Sequence, residues 1–97
     1  MAQGFEWDCD KNQHNIEKHG IDFQDAIQVF EGEYLSYLSP RNDEGRMVAV
    51  GTVRNMIIAV IYTLRANNIR IISARMARRV ERELFMHRTQ YEKSKDL

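Results

Sequence analysis

From Tyr34 onward the apolar residues of this chain recur at every second position, in four successive runs. The runs read YLSYLS, MVAVGTV, MIIAVIYTL and IRIISA, and they are rich in valine, isoleucine and tyrosine. That period and composition predict β-strands. Between them stand PRNDEG, RN and RANN, hairpin-like turn sequences. Four strands joined by such short turns predict an antiparallel meander. The stretch Ile57 to Leu64 is apolar at odd and even positions alike, so it belongs in the centre of the sheet.

The residues before Tyr34 follow other rules. Gly4 to Trp7 reads as a short strand. Asp8 is a suitable N-cap for a helix over Cys9–His19, and Gly20 a suitable stop. On that helix Lys11, Asn15 and Lys18 share a face. Asp22 opens a second helix, whose Phe23, Ala26, Ile27 and Phe30 form an apolar stripe. A last helix is predicted over about Met76–Glu92, leaving 93–97 as a frayed tail. The order is β-α-α-β-β-β-β-α, an α+β fold in one domain spanning residues 1–97.

The net charge of zero conceals a division. Residues 1–44 carry ten acids and three bases, and residues 45–97 carry eleven bases and four acids. The second half is therefore an anion-seeking surface. The single cysteine, Cys9, allows no internal disulfide framework, and the polar opening MAQGFEWDCD is no secretory leader. A soluble, cytoplasmic protein without a membrane span is expected. The sequence contains no P-loop, dinucleotide fingerprint or G-x-S-x-G motif. Its histidines and lone cysteine lack metal-ligand spacing, so neither metal nor cofactor is expected.

The basic residues concentrate in RIISARMARRVERELFMHR, residues 70–88. On a helical wheel Met76, Ala77, Val80, Leu84, His87 and Tyr91 form one stripe, the expected core face. Arg75, Arg78, Arg79 and Arg82 gather opposite, with Phe85 and Met86 beside them. Two readings stay open at this level. The arginines either solubilise a surface helix, pairing with Glu81 and Glu83, or bind an anion, for which arginine's forked donors suit phosphate. His19 is either a cation at a helix end or a general acid or base. Glu44, which with Arg46 flanks the turn into MVAVGTV, is either turn chemistry or a base. Cys9 is given no role.

Three stretches, taken in order, carry a family resemblance. FEWDCDKNQHNIEKHGIDFQDA, residues 5–26, is similar to the opening W-D-x-x-K-x-x-x-N-x-x-K-H-G of the BrnT toxins of type II toxin–antitoxin systems. Trp7, Asp8, Lys11, Asn15, Lys18, His19 and Gly20 supply the matching positions. Glu44, Arg46, Val50 and Gly51 resemble the family's E-x-R-x-x-x-V-G, and RIISARMARRVER, residues 70–82, the third motif. The pattern is broken at Cys9, where proline is frequent, and at Phe85, where tyrosine is expected.

The resemblance implies a compact RelE-like fold and an RNA-cleaving toxin that slows translation. It also implies a BrnA-like ribbon-helix-helix antitoxin, held in a heterotetramer, through which alone the toxin meets DNA. On that reading Arg46, Arg65 and Arg75 are the candidates for transition-state binding. His19 or Glu44 is the acid or base, with Lys18 in support. Lys11, Arg70 and Arg79 hold the RNA backbone, and Arg78, Arg82, Phe85 and Met86 meet the antitoxin. The competing class is a non-catalytic module that only binds nucleic acid or antitoxin.

Overall fold

The computed structural model describes residues 4–40 and 45–95, with side chains as far as Arg88. The Asp8 carboxylate accepts from the main-chain N–H groups of Asp10 and Lys11, at 2.8 and 3.2 Å. These are donors that the first turn of a helix otherwise leaves unpaired. Helix α1 spans Cys9–His19 and ends at Gly20, whose φ of 72° is left-handed and costs glycine nothing. Asp22 caps α2, Phe23–Ala26, which tightens at once into a 3-10 helix, Ile27–Glu31. The single second helix expected from the sequence is thus two pieces. The buried residues Phe23, Ala26 and Val29 are spaced by three, the repeat of the tighter helix.

Five strands form one sheet in the order β1-β5-β4-β3-β2. They are β1 Gly4–Glu6, β2 Tyr34–Leu38, β3 Met47–Val53, β4 Met56–Arg65 and β5 Asn68–Met76. Strands β2 to β5 make the expected antiparallel meander, with β4 at its centre. Arg54 and Asn55 turn the β3–β4 hairpin with φ values of 51° and 67°, the double positive φ of a two-residue hairpin turn. β1 departs from the all-antiparallel expectation and lies parallel to β5. The helices and the meander intervene between these two strands, and only such a long connection lets a parallel pair form.

α2 and the 3-10 helix cover one face of the sheet, enclosing Phe23, Val29, Ile58, Val60 and Ile71. A Cβ at Gly51 of β3 would stand 2.9 Å from Val29 Cγ1. The glycine is what allows the 3-10 helix to lie down on β3. The other face holds a smaller cluster of Val48, Val50, Ala59 and Ala77. Helix α3, Arg79–Lys95, crosses this second face.

α3 corrects two expectations. It begins at Arg79 rather than Met76, because β5 continues to Met76, which pairs with Ile58. It also turns the other side inward. Val80 is 65% exposed and Leu84 52%, and His87 is exposed as well. Among the described residues of the predicted stripe only Ala77 is buried, while Glu81, at 5% exposure, faces the sheet. Phe85 packs beside it on the second cluster. The wheel ranked side chains by polarity, but a charge match across the fold decided the rotation. The Tyr91 side chain and residues 96–97 lie outside the described residues, and α3 runs past the expected end at Glu92.

β1 pairs only with Asn68–Arg70, so the later half of β5 would be an open edge. Asn15 closes it. Its amide nitrogen donates to the carbonyls of Ala74, at 2.9 Å, and Ile21, at 2.8 Å. Its amide oxygen accepts from Ala74 N, at 3.0 Å, and Ser73 Oγ, at 3.2 Å. One buried side chain thus stands in for a neighbouring strand and ties α1 to the sheet. Asn15→Ala is expected to cost about 3 kcal/mol in urea unfolding, because it leaves buried main-chain groups unpaired.

Candidate nucleic-acid interface

Strand alternation sends Arg46, Thr63, Arg65 and Arg70 to the face opposite the larger core. Thr63 and Arg70 are directly opposed across β4 and β5, and Glu6 opposes Arg70 on β1. Arg46 precedes Met47, the partner of Tyr62, which sets it in the same cross-strand row. Lys11 reaches in from α1. Lys11, Arg46, Arg65 and Arg70 line one hollow of about 400 Å³, together with Thr63, Leu64 and Ile72. Arg70 also holds the Glu6 carboxylate, at 2.9 Å. Asn68 and Arg70 bond that carboxylate and keep it below its usual range.

A second hollow of about 210 Å³ adjoins the first, sharing Lys11 and Ile72. His14, Asn15, Lys18, His19 and Ser73 complete its lining. The register of β4 against β5 slips between Ile61 and Tyr62. The bulge sets Ile72 and Ser73 together toward the hollow. His14 and His19 are five residues apart on α1. They flank the stripe of Lys11, Asn15 and Lys18, and both border this one hollow. Sequence reasoning passed over His14, Thr63, Ile72 and Ser73. The stripe 11, 14, 15, 18, 19 was the available signal for His14, whereas the bulge had none.

Arg75 lies further along β5, roughly 15 Å from Arg70 at the rise of a strand. It is held by Glu81, Nη1 to Oε1 at 2.7 Å and Nη2 to Oε2 at 2.9 Å. Tyr37 of β2 donates its hydroxyl to the same carboxylate, and the Arg78 N–H donates at 2.7 Å, closing the start of α3. Burial pushes the Glu81 carboxyl up, but Arg75, Tyr37 and the Arg78 N–H together outweigh it and hold the group at about 2. Burial, and next the Glu81 carboxylate, push the Tyr37 hydroxyl above its ordinary value. Neither Tyr37 nor Glu81 was singled out as a site residue from sequence.

The remaining expected residues are dispersed. Arg79 pairs with Glu83 one turn on, at 3.2 Å, in solvent, and does not reach either hollow. Arg82 donates to the Ala77 carbonyl, at 3.0 Å. Met86 is exposed and Phe85 packed inward, so the pair does not form one outer patch. Glu44 lies outside the described residues. Among the described residues, no three His, Cys, Asp or Glu side chains converge as metal ligands, and no helix is long and apolar enough to cross a membrane.

The fold and this face define a small α+β domain with a basic, histidine-edged surface. The family model of BrnT, the ribonuclease toxin of type II toxin–antitoxin systems, matches residues 7–81. The crystal structure of the ribonuclease toxin BrnT from Brucella abortus is similar, with 32% identity and a TM-score of 0.66. That likeness covers 78% of this chain and 97% of the Brucella chain. No curated protein matches. The chain belongs to the BrnT family of ribonuclease toxins.

Glu81→Gln is expected to lower stability at pH 7 by about 3 kcal/mol, since it breaks a buried pair on one side only. The wild-type carboxyl sits near 2 when folded, against an ordinary 4.5. Its stabilisation is therefore complete above about pH 4.5 and is lost as pH falls toward 2. Urea unfolding across that range should show a shallower acid slope in the variant. Glu6 and Asp8, also held low, contribute to the slope that remains. An unchanged slope would remove Glu81 from this account.

Proposed function

We propose that the chain is a metal-independent endoribonuclease that slows translation and is silenced by a ribbon-helix-helix antitoxin in a cytoplasmic heterotetramer. The observation that carries the reading is the convergence of Lys11, Arg46, Arg65 and Arg70 in one hollow, beside a second edged by His14, Lys18 and His19. Four cations in one hollow suit a phosphodiester backbone better than a single small anion. In the reaction the RNA's own 2′-oxygen attacks the adjacent phosphorus. The bond from phosphorus to the 5′-oxygen breaks, leaving a 2′,3′-cyclic phosphate and a free 5′-hydroxyl. A base takes the 2′-proton and an acid returns one to the 5′-oxygen.

Arg46 and Arg65, with Lys11, take the role of stabilising charge on the phosphorane, the positive groups a pentacoordinate phosphate needs. His19 is the acid or base, with Lys18 beside it, and Glu44 is the other candidate for that proton. Arg70, shared with Glu6, steadies the backbone. Arg75 is engaged by Glu81, so it serves RNA only where Glu81 releases it. Arg79, expected among the backbone contacts, stands apart from both hollows and is left out of the site.

The test is cleavage of a defined RNA by purified protein, with and without ribosomes, with the new ends mapped. Arg46→Ala and Arg65→Ala should each slow cleavage on the order of 10²–10³-fold, and His19→Ala on the order of 10²–10⁴-fold. Arg79→Ala should cleave like the wild type. Cyclic phosphate ends and an EDTA-insensitive rate are expected. Full activity in both arginine variants would falsify this site. Salt-sensitive binding that leaves the RNA intact would favour the non-catalytic module.

A further inference from the structure

α3 crosses the second face without closing it. Val80, Leu84 and His87 line the edge of the helix toward β2, and a groove of about 1000 Å³ separates them from Leu35 and Tyr37. Arg78, Arg79 and Arg88 border the same groove. β2 is the outermost strand of the sheet, so the groove opens to solvent along that side. Its apolar side chains are largely exposed, Leu84 and Val80 most of all. The two polar groups on its floor are engaged with one another, since the Glu81 carboxylate accepts from the Tyr37 hydroxyl as well as from Arg75 and the Arg78 N–H.

These features choose between occupants. A small ligand needs convergent polar groups to orient it, and Tyr37 and Glu81 on the floor are turned toward each other. The ridge Val80, Leu84, His87 is two helical turns long, about 10 Å. A helix lying beside it would insert apolar residues at the same spacing. Arg78 borders the groove with Arg79, which pairs with Glu83, and Arg88, which donates to the Tyr34 carbonyl; three guanidiniums against one such carboxylate leave an excess of positive charge that favours carboxylates on the flanks of that helix. A second copy of the chain offers no such helix among the described residues. α1 is mostly polar, its Asp8 and Asp22 neighbours are spent on capping, and Asp25 pairs with Arg54.

We propose that the groove between α3 and β2 docks the antitoxin, through one amphipathic helix with an apolar face and acidic flanks. The proposal rests on the reading of the chain as one half of a toxin–antitoxin pair. It moves the expected contact away from Arg82, Phe85 and Met86, which do not line the groove, and onto Leu35, Tyr37, Val80 and Leu84, while retaining Arg78. The docked helix would lie over Tyr37 and Glu81, the pair that holds Arg75.

The probe is the product of the antitoxin reading frame adjoining the gene, purified from co-expression, with binding followed by calorimetry. Leu84→Glu and Val80→Glu place a charge on the apolar floor and should weaken binding about 100-fold, as hot-spot losses do. Both positions are exposed, and retained RNA cleavage verifies their folding. Met86→Glu, outside the groove, should bind within about twofold of wild type, and affinity should fall as salt rises. Undiminished binding by both groove variants overturns the proposal, as does an equal loss in Met86→Glu. A self-dimer that Leu84→Glu disrupts would assign the groove to a second copy, also overturning it. A wild-type chain that cleaves RNA yet binds no product of that frame sinks the docking site and leaves the ribonuclease standing. One that binds through the groove without cleaving does the reverse.

Discussion

The seat of Asn15 on the main chain of Ala74 is the contact on which the arrangement of the basic face depends. Without it β5 would offer an unpaired edge, and α1, a mostly polar helix, has little apolar surface with which to hold itself there. Four hydrogen bonds from one buried amide place the helix instead. They do so beside a bulge, where the strand has already turned Ile72 and Ser73 toward the same side. The consequence is positional. Lys11, His14, Lys18 and His19 come to border the hollow that Arg46, Arg65 and Arg70 line from the sheet.

A second polar tie acts at the other end of the same face. Glu81 gathers Arg75, Tyr37 and the Arg78 N–H, and by doing so rotates α3 against its own hydrophobic pattern. Burying an ion pair gives little net stability over an apolar alternative. What it does here is choose one rotation of a helix that has arginines on several sides. The side chains displaced outward, Val80 and Leu84, are then left facing a groove rather than a core.

The segregation of charge along the chain is resolved in three dimensions only in part by neutralisation. Many acidic residues of the first half do local work. Asp8 and Asp22 cap helices, Glu6 holds Arg70, and Asp25 holds Arg54. Lys11, Arg46, Arg65 and Arg70 meanwhile share one hollow, where like charges repel one another. That repulsion is tolerable where a polyanion is the customary partner, as it is for a ribonuclease.

Much of this protein was legible in its sequence because the deciding forces are local. The alternation of apolar residues set the meander and put β4 at its centre. Asp8, Gly20 and Asp22 marked helix ends through bonds made within a few residues. The motifs around Lys11, Arg46 and the arginine-rich segment were enough to suggest the BrnT family and to collect Lys11, Arg46 and Arg70, which share a hollow with Arg65. What stayed hidden depends on contacts between residues distant in the chain. The parallel pairing of β1 with β5, the bulge at Ile72 and the nearness of His14 to His19 around one hollow are of this kind. The strongest case is Glu81, read as a surface partner for arginines and found almost fully buried. Polarity along one helix cannot reveal that a guanidinium on a neighbouring strand and a hydroxyl from β2 await its carboxylate. Only the tertiary structure decided which side of α3 meets the sheet, because that choice is made by the partners across the gap and not by the helix itself.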